Sequence, residues 1–142
     1  MPAKLMSLAF LCAALAFPQE RGDEYTLNMS NGRSWRETPE IAKIGYIVAV
    51  WDMATWIEIR DGRGGHELEK DTARLSHLAA TEVVQEVDKF YSDPSNALVP
   101  ILETLSWVDA KASGASPAEL DSLEATLRRR AIRFKEIEGH KN

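Results

Sequence analysis

Asp52 is the side chain whose position most invites chemistry. It lies between Trp51 and Met53 in the most apolar stretch of the chain. A carboxylate buried there without a partner would have a raised pKa, the condition for a general acid or for a polar anchor in a ligand pocket. The competing reading is packing: Asp52 sits on the rim of an apolar stripe, or pairs with Lys111 or an arginine of the last helix. The packing reading is preferred. Glu58 and Asp109 carry the same two readings with less force, and two carboxylates at a glycosidase-like separation cannot be inferred from this spacing.

Other reactive residue types do not assemble into a known constellation. The three histidines are His66, His77 and His140. His66-Glu67-Leu68-Glu69-Lys70 resembles the start of a zinc-protease helix but lacks the second histidine such a helix needs. His66 and Glu69, with Asp71, could hold a metal only weakly, and no metal is expected. No serine sits in a G-x-S-x-G elbow. Gly62-Arg63-Gly64-Gly65 lacks the lysine and hydroxyl of a phosphate loop. No cofactor is expected.

Aromatic residues point to binding instead. Trp35, Trp51, Trp56 and Trp107 are many tryptophans for a chain of 142 residues. Trp51 and Trp56 are five positions apart, so on a helix they diverge by about 140° and cannot form one stacking platform. One should fill the core and the other lie nearer the surface, where an exposed ring beside Tyr46 or Tyr91 would anchor a partner. The candidate binding residues are Trp56, Tyr91, Asp93 and Asn96, with Asp52 added by the pocket reading.

The elements that must position these residues read as helices. Residues 17–37 form a polar N-terminal segment in which Asn31-Gly32 signals a turn and Ser34 with Glu37 a short capping box. Thr38-Pro39 starts the main helix with a cap and a proline at the first position. Ile41, Ile44, Val48, Trp51 and Thr55 trace one stripe along it, and Ile47, Val50, Ala54 and Ile57 a second. Two stripes predict a helix buried on most sides and central to the fold, with close approach of another helix at Gly45. Lys43, Asp52 and Glu58 argue against a membrane span.

Residues 61–80 are ambiguous. A second helix should run from a Thr81 cap to Tyr91 with Val83, Val84, Val87, Phe90 and Tyr91 inward. Asp93-Pro94-Ser95-Asn96 is a strong turn. A third helix is expected from about Ala97 to Ser113, with Pro100 in its first turn and Ile101, Leu105, Val108 and Ala112 inward, widened by Leu102. Gly114 suits a left-handed cap. Ser116-Pro117-Ala118-Glu119 opens the last helix with cap, proline and box together. That helix carries Leu120, Leu123, Leu127, Ala131, Phe134 and Ile137 in one stripe. With no repeat and no convincing strand pattern, the fold class is all-α: a small bundle of four main helices over residues 38–142.

The first 16 residues read differently. Lys4 precedes an uncharged run from Leu5 to Phe17, and Ala14-Leu15-Ala16 fits a cleavage site, which predicts a cleaved signal peptide and a periplasmic or secreted protein. The run is too short for a permanent anchor. Cys12, the single cysteine, would leave with it unless it is a lipid-attachment site, which Phe10-Leu11 fits poorly. The chain has 17 basic and 22 acidic residues. An acidic exported protein is a poor candidate for nucleic acid. Residues 128–142 are the exception, with six basic groups against Glu136 and Glu138. They could meet an acidic partner, but basic residues opposing a helix dipole explain them better.

Two stretches carry a resemblance. One is Asn31-Gly32-Arg33-Ser34-Trp35 followed by Lys43-Ile44-Gly45-Tyr46-Ile47 and Asp52. The other is Phe90-Tyr91-Ser92-Asp93-Pro94-Ser95-Asn96 followed by Val99-Pro100-Ile101. Together they resemble small secreted bacterial helical proteins of unassigned function. More distantly, over residues 28–112, they are similar to the Tai-type immunity proteins that counter type VI secretion amidases. The resemblance implies an exported, helical, non-enzymatic protein that plugs a toxin's active site. The chain departs from that family in having no cysteine after Cys12, where the family carries disulfides. The expectation is therefore a non-enzymatic binding protein whose partner is another envelope or secreted protein. A small hydrolase or pocket around Asp52, and a structural or stress-related role, are the alternatives.

Overall fold

The structure, a computed structural model, describes residues 24–60 and 78–140, with the side chain of Glu58 excepted. The expected leader with Cys12, the ambiguous segment with His66 and His77, and the side chain of Glu58 lie outside the described residues.

A two-residue hairpin comes first. β1 (Tyr25–Thr26) pairs antiparallel with β2 (Met29–Ser30). Leu27 and Asn28 between them both have positive φ, 49° and 62°, the tight turn that matches strand twist. Asn31, not Ser34, then caps α1 (Gly32–Glu37): its side chain accepts from the Arg33 N–H at 3.0 Å. Thr38 donates its hydroxyl to the Ser34 carbonyl at 2.8 Å, so it closes α1 rather than capping the next helix. That helix, α2 (Glu40–Arg60), takes its first hydrogen bonds on the Pro39 carbonyl.

α3 (Ala80–Ser92) starts one residue before the expected cap, where Glu82 reaches back to the Ala79 N–H at 2.7 Å. A 3₁₀ turn (Pro94–Asn96) leads to α4 (Ile101–Ala112), which Pro100 precedes rather than enters. Gly114 has φ +84°. α5 (Pro117–Gly139) opens with the full Ser116/Glu119 capping box.

The expected all-α bundle is the architecture observed, but its centre is α3. The helices pack chiefly on their neighbours in sequence, α2 on α3, α3 on α4 and α4 on α5. Val83, Val84, Val87, Phe90 and Tyr91 of α3 are all buried, and they meet Trp35 of α1 and Ile101, Leu105, Trp107 and Val108 of α4. Leu127 and Ala131 of α5 complete this core. Trp107, not Ala112, is the inward residue at the end of α4, and Leu102 and Ile137 are exposed. α2 buries only Ile47 completely. Its expected central position is therefore corrected to an edge. A helix apolar on nearly every side does not reveal from periodicity which stripe faces inward.

Two glycines lie inside helices with opposite surroundings. A Cβ on Gly32 would stand 2.3 Å from Cδ1 of Tyr91, so α1 can dock only because that atom is missing. A Cβ on Gly45 would meet nothing within 4 Å among the described residues, so none of the described helices makes the expected close approach there.

Candidate functional site

α2 presents two faces. The inner one carries Ile47, with Ile44, Tyr46, Val50 and Trp51 partly buried against the core. Lys43 anchors it by an ion pair to Asp88 at 2.8 Å. Asp88 also accepts from Trp35 Nε1 at 2.7 Å, so one carboxylate ties α1 and α2 to α3.

The outer face is also apolar. Ile41, Gly45, Val48, Asp52, Trp56 and Ile59 follow one another at helical spacings of three and four, all of them exposed. Ala42, Ala49 and Met53 flank them on one side. Among the described residues, six of the nine exposed large apolar side chains belong to α2, including Ile41 at 77%, Ile59 at 68%, Met53 at 56% and Trp56 at 54%. Single exposed apolar residues are ordinary, but a row of them on one element is a candidate interaction surface. The Arg60 guanidinium lies 4.9 Å from the Trp56 ring centroid.

The five candidate binding residues divide. Trp56 stands in this outer face, and Trp51 turns inward as its spacing requires. Asp52 is exposed at the middle of the face, without a hydrogen bond or ion pair to the described residues. Its expected partner Lys111 is bound by Glu86 at 2.5 Å and lies over Trp107.

Tyr91 and Asn96 are each 1% exposed, so neither can anchor a partner from the surface. The Tyr91 hydroxyl donates to the Val99 carbonyl at 2.8 Å and accepts from Thr104 Oγ1 at 2.9 Å, and burial holds its pKa far above the ordinary 10.0. Asn96 Nδ2 donates to the Phe90 carbonyl at 2.8 Å and to Glu124 at 3.0 Å, while Oδ1 accepts from Arg128 Nε at 2.7 Å. Asp93 accepts from the Ser95 N–H at 2.8 Å and meets Arg128 at 2.5 Å. The Ser95 hydrogen bonds foremost, and Arg128 after them, hold the Asp93 carboxyl below its ordinary value. The 91–96 turn therefore joins α3 to α5.

This also accounts for part of the basic C-terminal charge. Arg128 bonds Asp93 and Glu124, and Arg130 pairs with Glu103 at 2.5 Å. The last turn of α5 holds no basic residue, so the expected opposition to the helix dipole is replaced by ion pairs across elements.

A cavity of about 210 Å³ opens between α3 and α4, lined by Leu78, Glu86, Val108, Lys111 and Ala112. Asp52 does not border it. Among the described residues no three histidine, cysteine, aspartate or glutamate side chains converge as a metal site, and no helix is long and apolar enough to cross a membrane. No protein-family model matches the chain, and no curated protein or solved structure shows significant similarity to it.

Sequence reasoning named Trp56 as a candidate but did not anticipate the exposed apolar row around it. The available signal was the α2 composition itself: two apolar stripes exceed what one edge of a small core can absorb.

Proposed function

We propose that this is a non-enzymatic binding protein of the bacterial envelope or secretome that works through the outer face of α2. The observation that carries this reading is the concentration of exposed apolar residues on one edge helix whose inner face already satisfies the core. Export rests on the charge and apolar pattern of residues 1–17. An immunity-type role, in which this face closes a toxin's catalytic groove, is the form suggested by the resemblance of residues 28–112. The hydrolase alternative needs Asp52 at the base of a cavity, and Asp52 instead stands on an open helix face.

The test is capture from an envelope extract by immobilised protein, comparing the wild type with Trp56→Glu and Ile59→Glu. Ile132→Glu, at an exposed apolar position of α5, is the control. The α2 variants should lose a captured species that the wild type and the control retain. Identical capture by all four would end the reading.

A further inference from the structure

Asn31 is the one asparagine of the chain that glycine follows. With no Cβ beside it, the glycine nitrogen is unshielded and can reach the asparagine side chain. That makes the pair chemically labile, yet the fold requires both residues. Gly32 is fixed by the Tyr91 ring, which leaves no room for a Cβ. Asn31 is 0% exposed and both accepts and donates. Its Oδ1 takes the Arg33 N–H at 3.0 Å, and its Nδ2 donates to Thr26 Oγ1 at 3.1 Å. Aspartate would cap α1 equally well, but an ionised aspartate has no proton to give Thr26.

We infer that Asn31-Gly32 is a self-modification site which the fold holds shut, and which turns unfolding into a one-way step. The reagents are the chain's own Gly32 nitrogen and water. A bond forms from the Gly32 nitrogen to Cγ of Asn31 and the Cγ–Nδ2 bond breaks. Nδ2 leaves as ammonia, carrying the Gly32 proton. Water then opens the cyclic imide. Opening at Cγ leaves aspartate, and opening at the main-chain carbonyl leaves isoaspartate, with the backbone rerouted through the side chain.

Ring closure needs the Asn31 side chain to turn, and with it the peptide plane that joins Asn31 to Gly32. The side chain is held at both polar atoms. The plane is held because the Asn31 carbonyl accepts the first helical bond of α1, from the Trp35 N–H at 2.9 Å. Behind it, the Asn31 N–H is bonded to the Glu24 carbonyl at 3.1 Å. Gly32 itself lies against Tyr91. The reaction therefore waits for α1 to leave Tyr91, a local opening or a global one.

Neither product refits the site. Aspartate loses the donor to Thr26 and puts a charge where the asparagine was fully buried. Isoaspartate lengthens the main chain between the first turn of α1 and the point where Asn31 bridges Pro100. An excursion long enough for the reaction thus removes the molecule from the folded pool, and lifetime becomes the measure of stability.

Peptide mapping by mass spectrometry tests this on the full chain, held at mildly alkaline pH in buffer and in guanidinium chloride. Asn28 and Asn96 are internal references. In denaturant Asn31 should lose its amide fastest of these asparagines. In buffer its rate should fall by at least about a hundredfold, because the opening must come first. Thr26→Val, which removes the acceptor of Nδ2, should reduce that protection by about tenfold and leave the rate in denaturant unchanged. Chains aged in denaturant and then returned to buffer should divide on size exclusion, with modified Asn31 missing from the refolded fraction. That separation needs no variant, so it stands even where Thr26→Val fails to fold. Amide loss at Asn31 as fast in buffer as in denaturant, a folded Thr26→Val as protected as the wild type, or modified chains that refold as fully as unmodified ones would each overturn the inference.

Discussion

The two helical glycines make a prediction in which the same substitution has opposite signs. At Gly32 an added methyl would sit 2.3 and 2.5 Å from two carbons of the Tyr91 ring, where ordinary contact begins near 3.4 Å. The ring cannot swing away. It is 1% exposed, its hydroxyl is held by Val99 and Thr104, and its edge meets Phe90 with ring centroids 5.4 Å apart. α1 must therefore shift by about 1 Å, an overpacking cost of about 2–3 kcal/mol. The shift would pull on Asn31, which is buried and bonded to Thr26 at 3.1 Å. At Gly45 the methyl meets nothing, and Gly45→Ala in a helix interior should gain about 0.5–1 kcal/mol from propensity and reduced unfolded-state entropy. Urea unfolding followed by far-UV circular dichroism measures both. The variants should separate by about 3 kcal/mol, the sum of the two estimates. A Gly32→Ala variant as stable as the wild type, or a destabilised Gly45→Ala variant, would refute the packing of α1 on Tyr91 and the openness of α2 respectively.

Further outcomes follow from the same geometry. Asn96→Ala should cost about 2–4 kcal/mol in the same assay, because it strands the Phe90 carbonyl and part of Arg128 away from solvent. Trp35→Ala should cost about 3–5 kcal/mol, whereas Trp56→Ala should stay within about 0.5 kcal/mol of the wild type. An equal loss at both tryptophans would contradict their placement. Acid should destabilise the fold through the carboxylates it holds ionised. Burial raises the Glu86 pKa, but the hydrogen bonds and charges of Lys111 and Lys89 together outweigh it and leave it below 4.5. Ser116 lowers Glu119, and Ser95 followed by Arg128 lowers Asp93. A carboxylate depressed in the folded state stabilises fully above its unfolded pKa and loses that contribution as pH falls through the folded value. Stability should therefore decline below about pH 4.5, and Glu86→Gln should be less stable than the wild type at pH 7 with a shallower acid decline. Parallel pH profiles for the two proteins would count against the Glu86 pairing.

How much of this was legible in the sequence depended on whether the signal was local. The inward side of α3 could be read residue by residue, because its polar positions Thr81, Glu82, Gln85, Asp88 and Lys89 leave only one face to bury. Ser116-Pro117-Ala118-Glu119 was legible because a cap is a bond within one turn. Thr38 failed as a cap because its hydroxyl had a competing local acceptor, the Ser34 carbonyl. The hairpin left no pattern: two-residue strands are too short for alternation, and Leu27 is an unusual residue at positive φ. The 91–96 turn was recognised as a turn but read as surface. Asn96 is buried because Phe90, Glu124 and Arg128 meet all its bonding needs, and two of those three lie on α5, far away in sequence.

The case for the α2 face comes from what the fold does not require of it. The core between α3 and α4 is closed by Phe90, Trp107, Val108 and their neighbours, and α2 adds to it mainly through Ile47 and the partly buried Ile44, Val50 and Trp51. Ile41, Val48, Trp56 and Ile59 are neither in that core nor packed against it, and Ile41 and Ile59 are 77% and 68% exposed. A peripheral helix that served only the fold would carry charge on its outer side, as α5 does at Asp121, Arg129 and Arg133. Exposed apolar rows carry an aggregation liability when nothing occupies them. Among the described residues nothing in the fold calls for them, and a partner seated on this face is the occupant that the proposed function supplies.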